Sequence, residues 1–245
     1  MTPEITTSTA SYDSDGEEVT GYMARPAGGG PHPGLIVIQE WWGVDGHIKD
    51  LTERFAREGY AALAPDLYTY AGHRVTEDAD EAAKLAEELR YDTAMRYLRG
   101  GVDYLKDAGV ATADRIGAVG YCLGGSYALL MACQDTGIGA AAAFYGQIVN
   151  EEPTENNPIN PIDLVSQMSC PLLFVHAGLD EWITVEHADR LREAMASANK
   201  EGEVKSYPNA QHAFFNDTQP DIYSEEDARD AWERTRRFFK KHLAG

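Results

Sequence analysis

Short apolar runs alternate along this chain with longer segments in which apolar positions recur every three or four residues. A run of the first kind suits a strand buried on both faces, and a segment of the second kind suits a helix lying over it. The pattern therefore predicts an α/β fold with a mostly parallel central sheet and helices on both faces. The clearest strand covers residues 34–39, and a helix follows over 47–58, with Ile48, Leu51 and Phe55 on one stripe and Gly59 placed to end it. Residues 60–64 read as the next strand, 79–107 as one long or two consecutive helices, 116–119 as a strand and 124–133 as a helix. Residues 140–144 are alanine-rich, which favours helix, but the run is short and flanked by glycines, which favours strand. A strand over 172–176, a helix over 185–198 and a strand over 204–207 come next. The last helix carries Ala228, Ala231, Trp232, Thr235, Phe238 and Phe239 as its inner stripe, and the stretch from Ser224 to Asp227 resembles a capping box. Two antiparallel strands near residues 4–10 and 17–25 open the fold, with Asp15 and Gly16 as the turn. The Pro- and Asn-rich stretch 150–161 reads as a loop and not as a linker, because alternating apolar structure resumes after it, so one domain over residues 1–245 is expected.

Composition narrows the partners. The 245 residues are 43% hydrophobic, enough for one sizeable core, and 40 acidic against 21 basic residues leave a net charge of −19. That field repels nucleic-acid phosphates and anionic membrane surfaces, so neither is an expected partner. It is read as a solvated acidic surface, with adaptation to high salt as the sharper alternative. The first residues lack a secretory signal's basic and apolar regions and no apolar stretch is long enough to span a bilayer, so a cytoplasmic protein is expected. The three cysteines, Cys122, Cys133 and Cys170, fit neither a disulfide framework nor a zinc site, and a thiol in such a chain can stay reduced and reactive. There is no P-loop, dinucleotide fingerprint or metal-spaced cluster, so no cofactor is expected.

The candidate chemistry centres on Gly120-Tyr121-Cys122-Leu123-Gly124, which lies between a predicted buried strand and a predicted helix. Cys122 is either a small buried residue on a tight turn or a thiol held up for attack. The spacing is that of a nucleophile elbow, in which a sharp strand-to-helix turn leaves no room for side chains two positions to either side of the nucleophile. At the start of a helix, unpaired N–H groups and the helix dipole favour a thiolate, and the N–H of Leu123 points where an oxyanion would form. A thiol nucleophile calls for a base, and the base for an orienting carboxylate. Asp180 follows the strand 172–176 and His212 follows the strand 204–207, so both are expected at the sheet edge that carries Cys122. Nucleophile, acid and histidine then stand in the chain order of the α/β-hydrolase arrangement. Read singly, Asp180 could be a loop or cap residue and His212 a surface group. Cys133 and Cys170 read as packing residues.

These residues resemble the dienelactone hydrolases, Cys-dependent members of the α/β-hydrolase superfamily, over about residues 21–243. The resemblance is carried by Gln39-Glu40-Trp41-Trp42-Gly43, Pro65-Asp66-Leu67-Tyr68, Gly120-Tyr121-Cys122-Leu123-Gly124-Gly125, Gly178-Leu179-Asp180 and Gln211-His212-Ala213-Phe214. It implies an α/β-hydrolase fold with no large separate lid domain and a triad of Cys122, His212 and Asp180. It also implies that Glu40 partners the resting thiol, with a structural acceptor for loop N–H groups as the plainer alternative, and that the N–H of Trp41 completes the oxyanion hole beside Leu123. The chain departs from the family pattern where an arginine usually binds the substrate carboxylate, four residues past the histidine: here stands Asn216, a neutral amide that cannot replace a bidentate cation. Arg74 is the candidate substitute. The loop 150–161 looks longer than the usual connection.

The function expected is hydrolysis of a small activated ester or lactone through a thioester on Cys122, by a monomer or small homo-oligomer. Trp42, Tyr68, Tyr145, Trp182 and Phe214, several of which suit a plain core equally well, are candidates to line the substrate together with Arg74 and Asn216. A thioesterase or short-chain carboxylesterase is the alternative within enzymes, and a thiol sensor that forms adducts without turnover is the alternative outside them.

Overall fold

A computed structural model describes residues 3–243; the two residues at each end of the expected 1–245 domain lie outside it. One eight-stranded sheet runs in the order β1-β2-β4-β3-β5-β6-β7-β8. Its strands are β1 (Ile5–Ser14), β2 (Glu17–Pro26), β3 (His32–Ile38), β4 (Ala61–Pro65), β5 (Ala111–Tyr121), β6 (Ala140–Phe144), β7 (Leu172–Ala177) and β8 (Gly202–Tyr207). β2 pairs antiparallel with β1 and with β4, and every pair from β4 through β8 is parallel. At the opening hairpin Asp15 and Gly16 both adopt positive φ, 54° and 87°, as a two-residue turn between twisted strands requires.

Among the described residues seven α-helices connect and cover the strands: α1 (Gly46–Arg57), α2 (Ala79–Glu88), α3 (Tyr91–Asp107), α4 (Leu123–Ala132), α5 (Pro161–Leu164), α6 (Val185–Ser197) and α7 (Glu225–Leu243). Strand alternation sorts the core into two layers. Leu35, Val37, Val119 and Leu173 pack with Phe55 of α1 and Phe239 of α7. Ile36, Ile38, Ile116 and Phe174 face the other way, against Leu98 of α3 and Leu129 of α4. No lid domain stands apart from this sandwich among the described residues.

Several elements differ in extent from the periodicity. The opening strands pair over ten residues each, longer than 4–10 and 17–25, because backbone pairing continues through polar positions exposed on one face. β5 likewise starts at Ala111, five residues before its continuous apolar run. The stretch 79–107 is two helices, broken where Leu89 and Arg90 turn extended, with ψ of 111° and 136°. Residues 140–144 form a strand buried at every position, so burial on both faces overrides alanine's preference for helix. At the start of α7 the Ser224 hydroxyl donates to the Asp227 carboxylate at 2.7 Å.

Candidate active site

Parallel strands deliver their following loops to one edge of the sheet, and register decides which residues meet there. Ile38 of β3 lies opposite Gly120 of β5, so two residues further on Glu40 comes level with Cys122. On the other side Tyr121 pairs with Phe144, Phe144 with Val175, and Ala177 with Tyr207, which brings the loops after β7 and β8 to the same edge.

At Cys122 the chain turns from β5 into α4 with φ 53° and ψ −115°, a conformation that L side chains rarely adopt. The surroundings enforce it. A Cβ on Gly120 would lie 1.9 Å from the Gly124 carbonyl oxygen, and one on Gly124 would lie 2.3 Å from that of Ile38. Gly125 and Gly146 press against each other's backbone in the same way, and the Cys122 N–H is tied to the Phe144 carbonyl at 3.0 Å. Cys122 is half-buried, whereas Cys133 and Cys170 are buried and burial pushes both thiols up to about 12. The N–H of Leu123 belongs to the first turn of α4, which has no intrahelical acceptor.

The loops after β7 and β8 are zipped together. Gly178 donates to Tyr207 at 2.7 Å and Leu179 to Ala210 at 2.9 Å, and any side chain at Gly178 would strike the backbone of Pro208, 2.6 Å away. This crossing sets Asp180 against His212, whose Nδ1–H donates to Asp180 Oδ2 at 2.6 Å. The other carboxylate oxygen, Oδ1, accepts the backbone N–H groups of Trp182 and Ile183 at 2.9 and 3.0 Å, which locks the carboxylate in place. Burial pulls the imidazole's proton affinity down, but the Asp180 hydrogen bond and the Cys122 sulfur outweigh it and hold His212 up at about 10. Nε2 is buried without a hydrogen-bond partner among the described residues.

Glu40 is 1% exposed, and burial is the main reason its carboxyl is pushed up to about 7. The Asn216 amide donates to its Oε2 at 2.9 Å and works against that shift, while Oε1 has no partner. The amide is itself oriented: its oxygen accepts the backbone N–H of Thr218 at 3.1 Å and the Thr218 hydroxyl at 2.6 Å. Asn216 thus holds a buried carboxyl and is not open to solvent.

The other singled-out residues divide between the site and the core. Tyr68 is buried and its hydroxyl donates to the Trp41 carbonyl at 2.8 Å, and the Thr76 N–H donates to that of Trp42 at 3.1 Å, so the loop after β3 is pinned. Trp42 is half-buried, edge-on to Trp41. Tyr145 is fully buried at φ 39°, 5.1 Å from the His212 ring, with Phe214 packed behind it at 5.9 Å and equally buried. Trp182 stands exposed beside His212. Arg74 is exposed and paired with Glu81. The sequence reading missed the role of Gly146, which only its close approach to Gly125 reveals; the one available signal was a glycine just past the strand 140–144.

Residues 19–243 match the family model of the dienelactone hydrolase family. The chain belongs to the dienelactone hydrolase family. Relatives named "Putative carboxymethylenebutenolidase" include one from Methylorubrum extorquens, 35% identical over 91% of this chain and 77% of its own length. A "Probable 2-oxo-3-(5-oxofuran-2-ylidene)propanoate lactonase" from Bradyrhizobium sp. is 31% identical over 95% of this chain and 93% of its own. Among solved structures, one titled as a putative dienelactone hydrolase from Klebsiella pneumoniae superposes with a TM-score of 0.91 at 33% identity, over 98% of this chain and 100% of the other. The fold is accordingly the α/β-hydrolase fold, and the protein is a carboxylic ester hydrolase of the dienelactone hydrolase type. No helix among the described residues is long and apolar enough to cross a membrane.

Proposed function

We propose that the hydrolase cleaves small activated esters or lactones through a thioester on Cys122, with His212 as acid and base, Asp180 as its orienting partner and Glu40 as acceptor of the thiol proton. The observation that carries this reading is the strained elbow at Cys122 beside an imidazole whose far nitrogen is fixed by Asp180 at 2.6 Å. An imidazolium favoured up to about pH 10 stabilises a thiolate next to it, and a carboxyl that titrates near 7 is matched to take up a thiol proton at neutral pH. Attack forms the carbon–sulfur bond and places the carbonyl electrons on oxygen, where the N–H groups of Leu123 and Trp41 receive them; each such donor contributes about 3 kcal/mol. The carbon–oxygen bond to the leaving group breaks as His212 Nε2 supplies its proton. Neutral His212 then takes a proton from water, the hydroxide adds to the thioester, and the thiolate departs. A thiolate leaves more readily than an alkoxide, so forward collapse requires a weakly basic departing oxygen, as in enol lactones and aryl esters.

The substrate class is neutral. The one amide at the position of the family's arginine is occupied by Glu40, and Arg74 is neutralised at the surface by Glu81. A substrate carboxylate would therefore meet no free cation among these groups. The test is a panel of neutral enol lactone, aryl ester, thioester and carboxylate-bearing dienelactone, assayed with wild type and Cys122→Ala, with mass spectrometry for an acyl adduct. The neutral lactone and aryl ester should turn over fastest and the variant should lose all turnover; hydrolysis that survives in the variant sinks the covalent reading.

A further inference from the structure

Among the described residues four large apolar side chains are exposed, and all four lie on connections at the carboxyl edge of the sheet: Val75 after β4, and Leu179, Trp182 and Val185 after β7. Of the four, Trp182 is the most open, at 68%, and it stands edge-on to His212 with ring centroids 5.0 Å apart and an interplanar angle of 88°. Its backbone is anchored to the same site, because the Trp182 backbone N–H donates to the Asp180 carboxylate that holds His212.

We propose that Trp182 forms the leaving-group subsite and selects an apolar, uncharged departing alcohol or enol. The inference rests on the reading of His212 as the general acid. The group that receives a proton from Nε2 must sit against the imidazole, and of the two aromatic rings beside it Tyr145 is buried while Trp182 is open to a departing group. The ring offers an open aromatic surface for an apolar partner to cover. Charge points the same way: the segment that carries it also holds Glu181, Glu186 and Asp189 and no lysine or arginine before Arg190, which disfavours an anionic leaving group.

The test separates leaving-group from acyl recognition. Phenyl acetate and 2-naphthyl acetate differ in the size of the departing group, and phenyl acetate and phenyl butyrate differ in the acyl group. Trp182→Ala should lower kcat/KM for the naphthyl ester, relative to phenyl acetate, by about tenfold, the loss expected for one aromatic contact. The butyrate-to-acetate ratio should stay unchanged, and Trp182→Phe should restore most of the loss. Binding of 2-naphthol to Cys122→Ala protein, read by calorimetry, should weaken by about the same factor when Trp182→Ala is added. An equal fall for all three esters, a change in the acyl ratio, or unchanged naphthol binding overturns the subsite. A dimer in light scattering that Trp182→Ala dissolves would assign the patch to a second copy of the chain instead. Because the binding arm needs no turnover, it judges the subsite even where hydrolysis that survives in Cys122→Ala removes the covalent mechanism.

Discussion

Replacing Glu40 by Gln should stabilise the protein while slowing it. The carboxyl is 1% exposed, and its affinity for a proton rises from the ordinary 4.5 to about 7. Below pH 4.5 it carries its proton in both folded and unfolded chains and has no effect on the balance between them. Between 4.5 and about 7 the unfolded chain releases the proton while the folded protein keeps it, so raising the pH favours unfolding; above about 7 the whole penalty is present. At 1.4 kcal/mol for each tenfold change in proton affinity, that penalty is about 3 kcal/mol. Gln at this position is neutral at every pH, and its amide oxygen can still accept the Asn216 hydrogen bond. Urea unfolding of both proteins from pH 4.5 to 8.5 should therefore give coincident stabilities at the acid end and a gap that opens to about 3 kcal/mol, or roughly 6–12 °C in Tm, at the alkaline end. Alkylation of Cys122 by iodoacetamide at pH 7 should be slower in the variant, since the proposed acceptor for the thiol proton is gone. Parallel stability profiles across the whole range would refute the argument, because they would mean that the buried carboxyl binds its proton no more tightly than an exposed one.

Three further perturbations probe the same edge of the sheet. Asp180→Asn removes one of the two partners, with the Cys122 sulfur, that hold His212 up at about 10; a raised histidine contributes stability that is complete below its ordinary 6.5 and gone by about 10. The variant's destabilisation, followed by thermal melts, should therefore be largest near pH 6 and fade toward pH 10, with kcat down by about a hundredfold or more. Gly120→Ala cannot be accommodated, since its Cβ would lie 1.9 Å from the Gly124 carbonyl oxygen. It should cost more than about 3 kcal/mol in denaturant unfolding, and a near-neutral result would show that the elbow can relax. The Tyr121 hydroxyl is buried without a partner among the described residues, so Tyr121→Phe should be neutral or stabilising by about 1 kcal/mol; a loss of about 2 kcal/mol or more would reveal a partner.

The layered fold was legible because burial marks the sequence: an unbroken apolar run in β3, where Leu35 and Val37 face one layer and Ile36 and Ile38 the other, and a period near 3.6 in α1 and α7. Strand ends were less legible, since pairing in β1 continues past its last apolar residue and β5 begins five residues before its apolar run. Within the site, Cys122, Asp180 and His212 could be placed because each follows a recognisable strand, and a parallel sheet turns that position in sequence into a position in space. What sequence could not give is partnership. Arg74 reads as a cation available to a substrate, but it is spent on Glu81 seven residues away, and Phe214 reads as a lining aromatic although it packs behind Tyr145. The Asn216–Glu40 bond joins residues 176 positions apart, a pairing that only the tertiary fold creates.

The loops that zip together after β7 and β8 make the chemistry conditional on the last strand to arrive. Glu40 and Cys122 are in register once β3 and β5 pair, yet the imidazole has no fixed address until residues 202–207 have docked and Gly178 has crossed Pro208. Between the synthesis of Cys122 and that of His212 a nascent chain thus carries a sulfur that lacks its proposed base. Turnover is correspondingly a gauge of completed assembly: fraying at the β8 margin should silence the enzyme while most of its helical signal persists.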